Sequence, residues 1–365
     1  MIDVEPLIRK EFAALDPLPP GAEGNWNDVL GRVQSQEMRV RVRWPIYRRR
    51  WQIAAIAVTA VAAAITVPLL VLTGNGGPGS ARSYIHPLPR ISTSERGGRQ
   101  LASLVLLRAA RAAAKQPATK GLAPGQFFYT KSEGWQEAQE GRPTGRLPTY
   151  FQPFTRETWI SPNGGRTREV DGHLLFPTPA DAAYFTHQLR NQPNILNAHT
   201  SDTTFKPRDS PYINLNNVPT NPAQLKKLIE NRTLEGAPPG DAETFQIISD
   251  LLRYSYAPPA VRSALYTIAS QLPGVRLIGP THDQLGRPGT GIAYYLPGPP
   301  PNGLDKREIY EMIFDPKTSA LLADQRAVLH RTNSTPFPPG SVTNWTAYLA
   351  SGIVGSTTAT TSATP

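Results

Sequence analysis

The sequence predicts an α+β protein, in which a single transmembrane helix precedes an exported domain of antiparallel sheet packed by helices. Several observations lead to this prediction. Residues 51–73 form an apolar segment without charged residues, and the chain beyond it contains aromatic, β-favouring runs as well as amphipathic runs with helical spacing. Turn signals separate strand-like runs in two predicted hairpins. The chain after the apolar segment is long enough to bury a core of its own.

The apolar segment is long enough to cross a bilayer. Between Trp51 and Thr73 the chain contains no Asp, Glu, Lys or Arg, and a spanning helix needs about 20 such residues. A secretory signal would begin with a short basic region and continue with roughly 7–15 apolar residues. Here residues 1–50 precede the segment, so we predict a lasting transmembrane helix over residues 51–73.

Basic residues beside the segment predict its orientation. Six arginines lie between residues 39 and 50, and two lie between residues 74 and 90. The positive-inside rule then places residues 1–50 in the cytoplasm and the C-terminal domain outside the cell membrane. Aromatic rings and arginines favour the boundary between lipid and water. The residues that we expect at this interface with the lipid bilayer are Trp44, Arg48, Arg49, Arg50 and Trp51.

Composition argues against several classes of function. The chain has no cysteine, which removes disulfides, thiolate metal sites and cysteine nucleophiles. Its formal net charge is +10, but the arginines beside the predicted span account for much of that charge. Since no nucleic-acid-binding motif accompanies the charge, we expect no nucleic acid among the partners.

The cytoplasmic segment, residues 1–50, contains two short amphipathic runs, DVEPLIRKEFAAL and WNDVLGRV. A segment of this length cannot build a sturdy core alone. The runs are therefore either a juxtamembrane tail without a partner or helices that bind a cytoplasmic regulatory protein. In the second case, the residues that we expect to make the contact are Phe12, Leu15, Val29 and Leu30.

Residues 74–99 are rich in Gly, Pro, Ser and Arg, which predicts a flexible stalk. The exported α+β domain is predicted over residues 100–330. It begins with the alanine-rich helix RQLASLVLLRAARAAAKQ, which Pro117 ends. Three β-favouring runs follow, with SPNGG as the turn of a hairpin: QFFYTKSEGW, TYFQPFTRETWIS and GRTREVDGHLLF. Their alternation of aromatic and polar residues predicts a sheet with one face exposed to water.

Four helices are predicted next. Thr178 with Asp181 forms a capping-box pattern, and Asn221 can cap the helix that begins at Pro222. The four runs are PTPADAAYFTHQL, VPTNPAQLKKLIENR, ETFQIISDLLRYSY and PPAVRSALYTIASQLPG. Strands are predicted in VRLIGPT, GIAYYLPG, REIYEMIFD and SALLADQRAVL, with a turn at residues 315–318. Residues 331–365 are predicted as a Pro/Ser/Thr-rich tail with one further strand, WTAYLASGIV, and a disordered end.

Catalytic and metal-binding motifs are absent from the sequence. It contains no HExxH, G-x-S-x-G, P-loop or EF-hand pattern. The run GRPGTG is followed by a strand-like run, which favours a hairpin turn over a phosphate-binding loop. Glu308 and Glu311 lie three apart in a predicted strand, so they point to opposite faces and do not act as a pair. We therefore expect no enzyme activity, no metal and no cofactor, and we expect His282 and Asp283 to form only loop hydrogen bonds.

Several motifs together resemble a family of single-pass membrane proteins. In order along the chain they are NWNDVL, GQFFYTKSEGW, RETWISPNGGRTREV, VPTNPAQL, AVRSALYTIASQLPGV, DQLGRPGTGIAYY and MIFDPKTSALL. This combination resembles an uncharacterised actinobacterial family that is similar in layout to anti-sigma factors. The resemblance implies a sigma factor as the cytoplasmic partner. Residues 1–50 contain neither His nor Cys, so they depart from the zinc-binding anti-sigma pattern.

Two functions are compatible with these observations. In the first, the exported domain senses an envelope ligand and the cytoplasmic segment regulates a partner, as an anti-sigma factor does. In the second, the exported domain is a lipid- or peptide-binding module of the envelope that the membrane helix anchors. A deep apolar cavity in the sheet would favour the second function, and a cytoplasmic partner for residues 1–50 would favour the first.

Overall fold

A computed structural model describes a large part of the domain that follows the predicted span. The described residues are 83–84, 88–91, 98–117, 121–140, 147–190, 198–206, 215, 218–230, 240–253, 257–295, 307–332 and 336–362. The predicted span and the cytoplasmic segment lie outside them, as do all the residues predicted to contact the partner or the membrane interface. Within the described ranges, no helix is both long and apolar enough to cross a membrane.

The described chain contains five helices and eleven strands. The helices are α1 Arg99–Ala114, α2 Pro179–Gln188, α3 Pro222–Glu230, α4 Asp241–Leu252 and α5 Pro259–Gln271. The strands are β1 Ser83–Tyr84, β2 Phe127–Gln139, β3 Thr149–Ser161, β4 Gly164–Asp171, β5 Leu175–Phe176, β6 His199–Phe205, β7 Val275–His282, β8 Pro288–Tyr295, β9 Arg307–Phe314, β10 Leu321–His330 and β11 Val342–Val354.

All the strands belong to one sheet in the order β1-β5-β3-β2-β11-β10-β9-β8-β7, with β4 also paired to β3 and β6 paired to β4. Every pairing is antiparallel except that of β1 with β5. The prediction of an α+β fold with a large antiparallel sheet is therefore confirmed.

Local side-chain chemistry starts the helices where the sequence predicts. The Thr178 hydroxyl accepts a hydrogen bond from the Asp181 backbone N–H at 3.2 Å, at the start of α2. The Asn221 side chain accepts from the backbone N–H groups of Ala223 and Gln224 at the start of α3. Each cap satisfies amide groups that have no partner within the helix. Both predicted caps are confirmed.

The two faces of the sheet carry different cores. The helix face, which includes Met312 and Phe314 of β9, packs against α1, α3, α4 and α5. The loop face, which includes Ile309 and Ile313 of the same strand, packs against the segments that contain Leu88 and Phe337. Alternate residues of a strand point to opposite faces, and all four of these β9 side chains are buried. Both faces are therefore covered at β9, the loop face by loop segments. The water-exposed face was predicted for the strands β2, β3 and β4, and it is wrong at the start of β2, where the neighbours Phe128 and Tyr129 are both buried.

The predicted stalk over residues 74–99 needs a correction. Ser83 and Tyr84 form β1 beside β5, and Leu88 is buried in the loop-face core. The Ile91 N–H donates to the Gly340 carbonyl at 2.9 Å, and the Val342 N–H donates to the Pro89 carbonyl at 2.9 Å. Composition alone pointed to a linker, but these residues find both apolar surface and backbone partners on the sheet. We call residues 88–91 the strap.

The predicted C-terminal boundary at residue 330 is also wrong. Strand β11 lies between β2 and β10 at the middle of the sheet, so the folded domain extends well beyond that boundary. Residues following β11 are held as well, since the Trp159 indole N–H donates to the Ala359 carbonyl at 2.6 Å. The Ser/Thr-rich composition hides this order because the partners lie far away along the chain.

Candidate functional site: a buried row on the loop face

Four side chains form a row across the loop face. Glu311 of β9 lies opposite Gln325 of β10, Gln325 lies opposite Trp345 of β11, and Trp345 lies opposite Trp135 of β2. Residues that pair directly across strands point to the same face. Each of the four side chains is at most 7% exposed. The pairing of the successive strands β9, β10 and β11 with the distant strand β2 thus creates a buried row of one carboxyl, one amide and two indoles, which we call the Glu–Gln–Trp row.

The polar atoms of the row are only partly satisfied. Gln325 Nε2 donates to Glu311 Oε2 at 2.7 Å, and Gln284 Nε2 donates to Gln325 Oε1 at 2.8 Å. Glu311 Oε1 and the indole N–H groups of Trp135 and Trp345 are buried without a hydrogen-bond partner. A buried polar atom without a partner costs about 1–3 kcal/mol. Three such atoms lie along one row, so hydrogen bonds to a ligand or an ordered water would contribute the most binding free energy here.

Aromatic rings and the strap enclose the row. The Trp135 and Trp345 rings meet edge to face with centroids 5.5 Å apart, and Phe151 lies 6.0 Å from Trp135. Leu88 of the strap belongs to the same apolar cluster. Because all four side chains of the row are buried, the site is closed in this structure, and Leu88 of the strap lies in the same buried cluster as its two indoles.

Glu311 is electrostatically unusual. Burial raises the pKa of its carboxyl from 4.5 to about 7, and the hydrogen bond from Gln325 only partly opposes this rise. Gly291 of β8 leaves room for the carboxyl, because a Cβ at that position would lie 2.1 Å from Glu311 Oε1. The carboxyl therefore changes its protonation close to neutral pH, within the buried row.

Substitution Glu311→Gln is expected to change how stability depends on pH. The pKa of Glu311 is higher in the folded state, so its protonation favours folding fully below pH 4.5, and this contribution is lost as the pH rises through about 7. At roughly 1.36 kcal/mol per pKa unit the loss amounts to about 3 kcal/mol. Thermal unfolding of the full-length protein between pH 5 and pH 8 measures it. We expect the melting temperature to fall less for the variant than for the wild type, and parallel curves would contradict the assignment.

A second polar cluster lies at the edge of the sheet. His199 Nε2 of β6 lies 3.2 Å from Asp171 Oδ2 of β4, and burial, followed by the neighbouring Glu169, raises the pKa of Asp171 to about 7. His199 Nδ1 has no hydrogen-bond partner. No described nucleophile is therefore held against this pair by a hydrogen bond. The expectation that the chain is not an enzyme stays a prediction.

The structure also locates the residues that the sequence singled out. Glu308 and Glu311 point to opposite faces of β9, as predicted, although both are buried. Asp283 is bound to Arg287 within the loop that leads into β8, where a hairpin turn is predicted. Across the described ranges, no group of three or more His, Asp or Glu side chains is arranged to hold a metal ion.

The sequence did not single out Trp135, Gln325 or Trp345. Each lies in a run that was correctly predicted as a strand, but only the register between strands brings these residues together. Comparisons of the chain with protein-family models, with curated proteins and with solved structures found no match.

Proposed function

We propose that this protein is a single-pass membrane sensor whose exported domain binds a short peptide on the loop face and whose cytoplasmic segment binds a regulatory protein, such as a sigma factor. One observation carries the proposal. The strap, which follows β1 on the way from the predicted membrane helix into the domain, contributes Leu88 to the apolar cluster of Trp135 and Trp345, whose indole N–H groups are buried without partners. Ligand entry would therefore act on a segment that lies close in sequence to the predicted membrane helix.

The chemistry of the row matches a peptide. Two indole N–H groups need acceptors, which peptide carbonyls provide, and the free oxygen of Glu311 can accept from a peptide N–H. The row crosses four strands that lie about 4.8 Å apart, so its length is about 14 Å. An extended peptide of about five residues spans this length at roughly 3.3 Å per residue. Fixed hydrogen-bonding groups of this kind favour a peptide over a lipid, which would need a continuous apolar cavity.

The strap couples the loop face to the predicted membrane helix. Arg90 forms a bridge with Ser341, and its guanidinium donates to the Pro339 carbonyl at 2.7 Å. These bonds join the strap to the loop before β11, next to Trp345. A peptide that reaches the row must displace the strap, and this displacement moves the chain that leads to the membrane helix. In the cytoplasm, Phe12, Leu15, Val29 and Leu30 would then change their contact with the partner.

A disulfide lock tests the coupling in the full-length protein. Bridge partners in antiparallel register are close enough for a disulfide, and the chain has no cysteine of its own. Binding of capped penta-alanine to the wild type is expected to change its tryptophan fluorescence, because two indoles belong to the row. We expect the oxidised Arg90→Cys/Ser341→Cys variant to lose this change. Addition of a reductant should restore the response. The two single variants control for the loss of each side chain.

A matched pair of tryptophan variants locates the site. Trp345→Phe removes an indole N–H of the row, and we expect affinity for capped penta-alanine to fall about tenfold, which corresponds to one hydrogen bond of about 1.4 kcal/mol. Trp159→Phe is the control, since its indole N–H already donates to Ala359. Equal affinity of all variants would contradict the loop-face site. Peptide binding that the lock does not alter would favour the anchored binding module over the sensor.

A further inference from the structure

Helix α1 presents an unusual outer surface. Leu101, Leu104, Arg108, Arg111 and Lys115 are spaced three and four residues apart, which places them on one side of the helix. Leu101 is 49% exposed and Leu104 is 43% exposed. We call these five residues the outer stripe of α1.

The stripe cannot turn inward, because the other side of α1 is packed. Ala102, Leu106, Ala109 and Ala113 are buried in the helix-face core, where α1 contacts α5 and β7. The helix is therefore held by the domain, and its two exposed leucines stay exposed. Exposed leucines that are held in a fixed position indicate a contact surface when charged residues lie beside them.

The charged residues of α1 and of the groove beside it are all basic. Helix α1 contains no acidic residue, and Arg108, Arg111 and Lys115 line a groove of about 330 Å³ together with Lys317 from the turn between β9 and β10. Cations at a helix C-terminus also stabilise the helix dipole. That effect does not account for Lys317, which belongs to another element, or for the leucines of the preceding turns.

The position of the domain in the chain brings this surface near a bilayer. Residues 74–82 are the only ones between the predicted span and β1. Fully extended, nine residues reach about 32 Å, at no more than ~3.6 Å per residue. A surface that combines exposed leucines with lysine and arginine is suited to the boundary between acyl chains and anionic headgroups.

We infer that the outer stripe of α1 binds the membrane in which the chain is anchored, with the leucines at the acyl boundary and the cations on anionic phospholipid headgroups. The inference rests on the membrane anchor of the proposed function but not on peptide binding. Leu101 and Leu104 enter the boundary, while Arg108, Lys115 and Lys317 contact phosphate groups. The contact fixes the orientation of the domain relative to the bilayer.

Site-directed spin labelling of the full-length chain tests the contact. The chain has no cysteine, so Leu104→Cys can carry a single nitroxide, and Ile353→Cys is a matched control because Ile353 is 41% exposed elsewhere. The proteins are placed in nanodiscs of phosphatidylglycerol or phosphatidylcholine. We expect the Leu104 label in phosphatidylglycerol to show the oxygen and nickel accessibility of a site about 5 Å below the headgroups. The Ile353 label should remain fully accessible to nickel.

Charge removal gives the second readout. We expect Arg108→Gln/Lys115→Gln, introduced together with Leu104→Cys, to return the label to water in phosphatidylglycerol discs. A Leu104 label as accessible to nickel as the Ile353 label would overturn the inference. Equal insertion of the Leu104 label in phosphatidylglycerol and in phosphatidylcholine would overturn the role of anionic headgroups. If the label responded to soluble polyphosphate but did not insert into either lipid, the groove would be assigned to a polyanion instead. If the chain did not enter the discs, the predicted membrane anchor would be wrong, and the inference would fail with it. Peptide binding is measured separately in detergent and does not depend on this result.

Discussion

Substitution Leu265→Asp is expected to abolish cooperative folding of the α+β domain. Leu265 lies in the middle of α5, is fully buried, and belongs to the core between the helices and the sheet. Helix α5 contacts α1, α3 and α4, so its apolar face supports the whole helical layer. A carboxylate at this position would lose its hydration without gaining a partner, at a cost of several kcal/mol. Total stabilities of domains are about 5–15 kcal/mol.

Circular dichroism and thermal unfolding of the full-length protein measure this effect. Ala260→Asp is the matched control, because Ala260 lies in the first turn of the same helix and is exposed. A carboxylate near a helix N-terminus is favourable, so this variant should unfold like the wild type. If Leu265→Asp retained the wild-type melting temperature, the packing of α5 on the sheet would be contradicted.

Removal of the Arg287 guanidinium by Arg287→Met is expected to cost about 3–5 kcal/mol of folding free energy. Arg287 Nε donates to Asp283 Oδ2 at 2.6 Å, and the Asp283 side chain has no solvent exposure. The two terminal nitrogens donate to the carbonyls of Tyr348 and Leu322, each at 2.7 Å. The Tyr348 carbonyl lies at a register shift of β11, and the Leu322 carbonyl lies at a register shift of β10. Strand pairing therefore leaves both carbonyls available to accept from Arg287. One side chain thus joins three parts of the sheet.

Chemical denaturation of the full-length protein measures the loss. Lys226→Met is the matched control, since it removes the salt bridge of Lys226 with Glu230 one turn further along α3. Both groups of that pair are partly exposed to water, and such helix pairs contribute about 0.3–0.5 kcal/mol. Similar losses in the two variants would contradict the role of Arg287 as the partner of the buried Asp283 and the connector of the three parts of the sheet.

Local chemistry explains most of what could be predicted before the structure. Thr178 with Asp181 starts α2 and Asn221 starts α3, because a cap depends on residues that are neighbours in sequence. The alternation of β9 placed Glu308 and Glu311 on opposite faces, since the side chains of a strand have a period of two. These predictions needed no knowledge of the rest of the chain.

The missed features all depend on distant partners. Residues 88–91 resemble a linker until the sheet offers Gly340 and Val342 as backbone partners. Strand β11 was expected at most as an isolated strand in a tail, yet it pairs with β2 and β10. The Glu–Gln–Trp row exists only because four strands share one register, and a shift by one residue would point every member to the other face.

The sequence by itself determined the types of the elements, several of their ends and the α+β class, because periodicity and capping chemistry act over a few residues. It also predicts the membrane helix and its orientation, which lie outside the described residues. Only the tertiary structure decided which strands are neighbours, and therefore which face is covered and which polar atoms are buried without partners. The physical reason is that pairing between distant strands depends on the register and burial of the whole sheet, which no local pattern encodes.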